Sequence, residues 1–239
     1  TWYDENRIKL TLGTSVTAID TAANNLLLTG GEERNYDKLI LATGAECNIP
    51  PIKGTDLDHV FSIRKLDDAN AIREKLDHVV NIAVIGGGVL GLAAAWEFCR
   101  AGKKVTILER SPGLMSNQLT DQASNLLKEA TEKSGMTVMT KANPKEIMKN
   151  KVLMEDGTEV PAELVIISAG IKPNSAVAIA AGIAGDRFLD VNDKMETSVT
   201  DVYACGDVSA LNGMSVGIWS QGTEMGKVAG IHASGDHVT

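Results

Sequence analysis

Asn81-Ile82-Ala83-Val84-Ile85-Gly86-Gly87-Gly88-Val89-Leu90-Gly91 decides how this chain folds. The apolar run to Ile85 reads as a buried strand, the glycines as a tight turn, and Val89 to Arg100 as a helix that Gly102 ends. Lys104 to Glu109 is the next strand, which completes a β-turn-α-β unit. Gly86, Gly88 and Gly91 stand at GxGxxG spacing. In a dinucleotide site those positions turn the chain sharply, let backbone approach a pyrophosphate, and let the helix lie close on the sheet. The helix opens at the turn, so its unpaired amides and positive dipole end face the phosphates. Ala93-Ala94-Ala95 keeps the first helical turns slim. Gly86, Gly87, Gly88, Val89, Leu90 and Gly91 are therefore the candidate contacts to a nicotinamide dinucleotide.

A GxGxxG alone is weak; a strand before it, a helix after it and an acid on the following strand confirm it. Glu109 lies eighteen residues after Gly91, where a carboxylate accepts hydrogen bonds from the adenosine ribose. It also opposes a 2′-phosphate, at roughly 4 kcal/mol for like charges about 4 Å apart and an effective dielectric near 20. Arg110 offsets part of that repulsion, so NADH is favoured and NADPH stays open.

Outward from this unit, residues 7–19 and 25–29 read as short β segments, with Gly30-Gly31 as a hairpin turn. Lys38 to Ala42 is a short strand closed by Thr43-Gly44, Pro50-Pro51 and Gly54 mark an extended linker, and Leu66 to Leu76 has helical spacing. Residues 118–134 read as a helix stopped by Gly135, Thr137 to Thr140 as a strand, and 151–161 as a hairpin around Asp156-Gly157. Leu164 to Ser168 is a buried strand closed by Ala169-Gly170. Strands at 188–191 and Val202 to Ala204, the turn Cys205-Gly206-Asp207 and a helix from about 217 to 233 end the chain. The carboxylate of Asp207 is expected beside a helix N-terminus at one sheet edge, with a plain N-cap as the bland alternative.

An apolar fraction of 44% fits an ordinary α/β protein, and a net charge of −8 argues against nucleic acid or an anionic membrane. No apolar run is long enough to cross a bilayer, and Thr1 opens no signal-peptide pattern. Cys47, Cys99 and Cys205 form no CxxC, which suggests reduced thiols and a cytoplasmic setting. His59, His78, His232 and His237 show no metal-ligand spacing and read as surface residues.

Three further segments carry a resemblance: Tyr36-Asp37-Lys38-Leu39-Ile40-Leu41-Ala42-Thr43-Gly44-Ala45, Ile167 to Asn174, and Thr200 to Asp207. With the glycine turn, and in this order, they resemble the FAD-dependent pyridine nucleotide-disulfide oxidoreductase superfamily. Gly91-Leu92, Leu114 to Thr120, and Trp219 with Gly226 resemble the branch of rubredoxin reductases and NADH-dependent nitrite reductase flavoproteins. The resemblance implies Thr43, Gly44, Gly206 and Asp207 on the flavin side and Ala169 and Gly170 at the nicotinamide side. It also implies Trp219 beside the flavin ring, where an ordinary buried aromatic is the alternative. Ala93, Lys172 and Gly222 depart from the family's usual residues at their places.

The resemblance implies a Rossmann-like NAD(P)-binding domain at 65–180, inserted into an incomplete FAD-binding domain of similar fold at 1–64 and 181–239. Relatives begin with a further strand and glycine turn for the ADP half of FAD, so the chain reads as an excised portion of a longer enzyme. The parent is expected to pass hydride from NADH to FAD, and electrons on to a small electron-carrier protein or small-molecule acceptor. Two alternatives stay open. One is a flavin disulfide reductase or NADH oxidase whose redox cysteine lies in the missing segment; the other is a nucleotide-binding sensor without turnover. No catalytic residue or metal ligand is assigned, and self-association is allowed but not required.

If the ADP half of FAD is held upstream of Thr1, the chain alone should not retain FAD. Three charge-assisted bonds at about 1.5–3 kcal/mol each amount to more than about a thousandfold in affinity. The purified chain is expected to be colourless after gel filtration. A yellow preparation with a bound-flavin absorption band would contradict this.

Overall fold

The computed structural model describes residues 1–215 and 217–236, so the reading of His237 lies outside the described residues. The chain forms two compact units, Cys47–Ile171 and a second made of Thr1–Glu46 with Lys172–Thr239.

The continuous unit is built on five parallel strands in the order Val60–Ser62, Leu164–Ile167, Asn81–Ile85, Lys104–Glu109, Thr137–Thr140. Side chains alternate across a strand, and here both faces are covered, which is why Ile82–Ile85 reads as an unbroken apolar run. Ile82, Val84 and Ile107 point to one face, where Ile72, Ala95 and Phe98 meet them from helices Leu66–Leu76 and Val89–Arg100. Ala83, Ile85, Leu108 and Ile167 point to the other face. There they meet Ile147, Val152 and Val160 from an antiparallel sheet of Pro144–Met148, Lys151–Met154 and Glu159–Pro161. The unit is thus layered as helices, parallel sheet and antiparallel sheet. The hairpin expected at Asp156-Gly157 is present, with Gly157 at φ +86°.

Helix Leu66–Leu76 has the expected bounds, and Asp68 Oδ2 accepts the Arg64 and Lys65 amides at 2.8 Å each, which holds its first turn. The helix expected at 118–134 is Asp121–Lys133, capped by Thr120.

In the second unit, Val16–Asp20, Asn25–Leu28 and Glu33–Asn35 form an antiparallel sheet. Gly30 and Gly31 both take positive φ at its second turn. Leu39–Leu41 pairs in parallel with Val202–Ala204, and Leu189–Val191 with Ser209–Leu211. Helix Trp219–Ala233 contributes Met225 and Ala229 to a core shared with Leu41, Leu189, Val202 and Ala204.

Several expectations change. Residues 7–15 are exposed and make no strand; Arg7 takes φ +58°, which an extended ladder does not tolerate. Residues 50–54 are no free linker: an added Cβ on Gly54 would lie 2.2 Å from Ile147 O, and Ile52 packs against the core. The two compact units divide at 46/47 and 171/172. Val60–Ser62 is an edge strand of the parallel sheet, and helix Ala176–Ala180 gives Ala178 to the other unit's core. Ala93 is exposed, so Ala95, fully buried, is the residue that keeps its helix slim against the sheet. His59 is half-buried and bonded to Met148 O at 3.0 Å, so it is no surface residue.

Glu163 ties the start of the central strand: its Oε2 accepts the Val80 amide at 2.6 Å and the Asn81 amide at 2.8 Å. Those backbone bonds hold its carboxyl below the usual carboxylate range. A lowered folded-state pKa gives stability that is present above the unfolded value, near about 4.3, and lost as pH falls through the folded value. Glu163→Gln should therefore lower the urea midpoint at neutral pH, and the gap from wild type should close in that acid window. A gap that persists at the lowest pH would show that shape, not charge, matters there.

Candidate nucleotide-binding site

The glycine turn follows the carboxyl end of Asn81–Ile85, between the ends of its two parallel neighbours. Gly86 takes φ +117°, and an added Cβ would lie 2.1 Å from Ser168 O. At Gly91 it would lie 2.1 Å from Gly86 O. At Gly88, with φ −82°, it would meet nothing within 4 Å. The three glycines thus separate as their spacing suggests: a turn only glycine can make, a helix seated against it, and open space between. Gly88 is also the N-cap of helix Val89–Arg100 and offers no side-chain cap, so the helix's opening amides have no partner from it.

Gly87 is constrained too, though the motif leaves it free. An added Cβ would lie 2.5 Å from Leu114 Cδ2. The Met115 amide donates to Gly87 O at 3.0 Å, with Met115 at φ +50°. The positive φ of a methionine leaves no signal in a sequence, so this wall of the site was not foreseeable.

A cleft of about 660 Å³ opens beside the turn, bordered by Gly86, Gly88, Glu109, Arg110, Ala169 and Gly170. Both oxygens of Glu109 are engaged, Oε2 by the Gly87 amide and Oε1 by the Ser111 amide, each at 2.6 Å. Arg110 is exposed at the rim. Asn48, which carries no motif, fixes the opposite wall: its Nδ2 donates to Ala169 O at 3.1 Å and its amide to Gly170 O at 2.9 Å. A cradle that a Cβ would fill, a helix N-terminus and a carboxylate at the next strand end fit a dinucleotide.

In the other unit, Thr43-Gly44 and Gly206-Asp207 follow the carboxyl ends of the paired strands Leu39–Leu41 and Val202–Ala204. Gly44 has φ +67° and Gly206 φ +75°, and an added Cβ on either would meet nothing within 4 Å. Asn174, quoted in its motif without a role, is the brace. Its Nδ2 donates to Thr43 O at 3.0 Å, its amide to Gly44 O at 2.9 Å, and Thr43 Oγ1 donates to Asn174 O at 2.8 Å. Asp207 leads into strand Ser209–Leu211 and not directly into a helix, and it is no helix N-cap. It still borders a small hollow with Gln221 and Gly222 of the last helix. Trp219, the first residue of that helix, is 88% exposed, so it is no ordinary buried aromatic. Cys47, Cys99 and Cys205 carry free thiols, and burial pushes that of Cys205 up, away from nucleophilic use. No His/Cys/Asp/Glu cluster that could hold a metal occurs among the described residues.

A parallel sheet with a glycine turn, a helix seated on it and an acid at the neighbouring strand end defines a Rossmann-like nucleotide-binding protein. The chain belongs to the pyridine nucleotide-disulphide oxidoreductase family, which it matches over residues 3–232. It is 35% identical to the assimilatory nitrate reductase electron transfer subunit of Bacillus subtilis, across 98% of this chain and 31% of that protein. It is 34% identical to an NAD(P)H nitrite reductase of the same organism, across 98% and 30%. Among solved structures, NADH:rubredoxin oxidoreductase of Clostridium acetobutylicum superposes with a TM-score of 0.83 at 32% identity, over 100% of this chain and 60% of that one. The chain thus spans about a third of the length of the first two.

The glycines separate by stability. Gly91→Ala forces a methyl onto Gly86 O and should cost about 1–3 kcal/mol. Gly88→Ala meets open space and should cost at most about 1 kcal/mol, chiefly from the poorer N-cap. Urea unfolding of the two variants checks this, and equal losses would contradict the geometry.

Proposed function

We propose that the chain carries the NADH-binding unit and flavin-contacting residues of a flavoprotein reductase that passes electrons from NADH through FAD to a small electron-carrier protein or small acceptor. The observation that carries the reading is the Gly86–Gly91 turn, with open space at Gly88 facing a cleft bordered by Glu109. The name of the rubredoxin oxidoreductase neighbour supports a carrier protein as acceptor. A cytoplasmic setting goes with three unbonded cysteines and no helix among the described residues long and apolar enough to cross a membrane.

The bound cofactors supply the hydride and electron chemistry, and the protein supplies position and electrostatics. The amides of Val89 and Leu90 hold the pyrophosphate, Glu109 orients the adenosine ribose, and Ala169-Gly170 gives a wall with little side chain in the way. Thr43, Gly44, Gly206 and Asp207 would hold the flavin's chain, and Trp219, 88% exposed, would stand beside its ring. No residue of this chain is assigned a proton transfer.

Titration calorimetry with NADH tests the reading. Gly88→Val places a branched side chain in the open space and should weaken NADH by at least about tenfold, or about 1.4 kcal/mol. Unchanged affinity would end the assignment. The wild type should bind NADPH more weakly than NADH, and Glu109→Ala should narrow the difference. Equal affinities in the wild type would mean that Arg110 outweighs the carboxylate.

A further inference from the structure

Glu109 is engaged more fully than a ribose contact requires. Its Oε2 takes the Gly87 amide and its Oε1 the Ser111 amide, both at 2.6 Å. The Gly87 carbonyl is taken in turn by the Met115 amide at 3.0 Å. Both backbone groups of Gly87 are thus bound to the segment leaving strand Lys104–Glu109. Gly86 is bound to the same strand, its amide donating to Leu108 O at 2.9 Å.

Three consecutive glycines cannot stiffen themselves, because glycine has the widest choice of backbone conformations. The turn needs an anchor from outside. A carboxylate that accepts backbone amides makes short, strong bonds. The two amides also spread the charge of Glu109, which makes a carboxylate tolerable beside an anionic ligand.

We propose that Glu109 is a positioning residue for the phosphate-binding turn as well as a ribose contact: by taking the Gly87 amide it fixes the Gly86–Gly87 peptide, and leaves the amides of Val89 and Leu90 as the pyrophosphate donors. Gly87 then serves the nucleotide through its place in the turn and not through its own N–H. The inference rests on the cleft being the nucleotide site proposed above.

The test separates ribose from phosphate. The 239-residue chain as wild type, Glu109→Gln and Glu109→Ala is titrated by calorimetry with ADP and with 2′,3′-dideoxy-ADP, which has no hydroxyl for the carboxylate to meet. Glu109→Ala should weaken dideoxy-ADP by about tenfold, and Glu109→Gln, whose amide oxygen still accepts from Gly87, should stay within about threefold of wild type. Glu109→Asp, one methylene short of Gly87, should lose as much as Glu109→Ala and replaces it if that variant does not fold. Amide exchange in the ligand-free protein supplies a readout independent of nucleotide. Gly87 should exchange slowly in wild type and Glu109→Gln, and fast in Glu109→Ala or Glu109→Asp. Equal dideoxy-ADP affinity in all variants, or Gly87 exchange indifferent to the substitutions, would overturn the proposal. A wild type that binds neither nucleotide while its Gly87 amide is protected would overturn the site reading instead, and with it the positioning role.

Discussion

Two backbone contacts at the glycine turn come closer than any side chain would allow: Ser168 O at the Cβ position of Gly86, and Gly86 O at that of Gly91, both 2.1 Å. Each closes a different gap. The first lets the turn sit against the end of strand Leu164–Ile167, where the Ser168 amide still reaches Ile85 O at 2.8 Å. The second seats the first turn of helix Val89–Arg100 on the turn itself, so that Ala95 and Phe98 reach the layer of Ile82, Val84 and Ile107. A methyl at either point would move the helix off the sheet, open the core below it, and turn the helix's first amides away from the cleft. Packing and the proposed ligand recognition therefore hang on the same missing atoms.

The sequence made this part legible because the constraint is written in residue type. Only glycine meets it, and only a strand buried on both faces needs an apolar run like Ile82–Ile85. Hairpins were legible for the same reason, since Gly30-Gly31 and Gly157 must adopt positive φ. Where the deciding contact is remote, residue type says little. Residues 50–54 look like a linker because Pro50-Pro51 and Gly54 are turn formers, yet Gly54 is there because Ile147 O approaches it. Residues 7–14 alternate like a strand but form no ladder among the described residues. Asn48 and Asn174 brace the two candidate sites through carbonyls more than a hundred residues away, and no short motif records that.

The Asp207 segment shows a third kind of limit. A glycine-aspartate turn after a strand points to an aspartate beside a helix N-terminus, or to one that caps a helix itself. Instead the chain makes a single 3-10 turn at Gly206–Val208 and continues as strand Ser209–Leu211. Val208, Ser209 and Ala210 are all buried, so the strand is drawn into the core beside Leu189–Val191. Burial won over the local capping preference, and the helix N-terminus that borders Asp207 comes from Trp219–Ala233, farther along the chain.

On the proposed reading, a protein of net charge −8 can hold an anionic dinucleotide because the recognition is made by backbone. Summed charge governs long-range attraction, and it argues against a nucleic-acid surface, where many phosphates must be neutralised by Lys and Arg. A pyrophosphate needs only a few donors at close range, and a helix N-terminus supplies them without a cationic side chain. The same economy explains why a carboxylate can stand in the cleft. Glu109 is matched to two amides, so this charge in the cleft is already hydrogen-bonded to the scaffold around it. Composition argues against one class of anion and is silent about the other, because backbone amides are present in every sequence. What distinguishes this chain is where its glycines let those amides point.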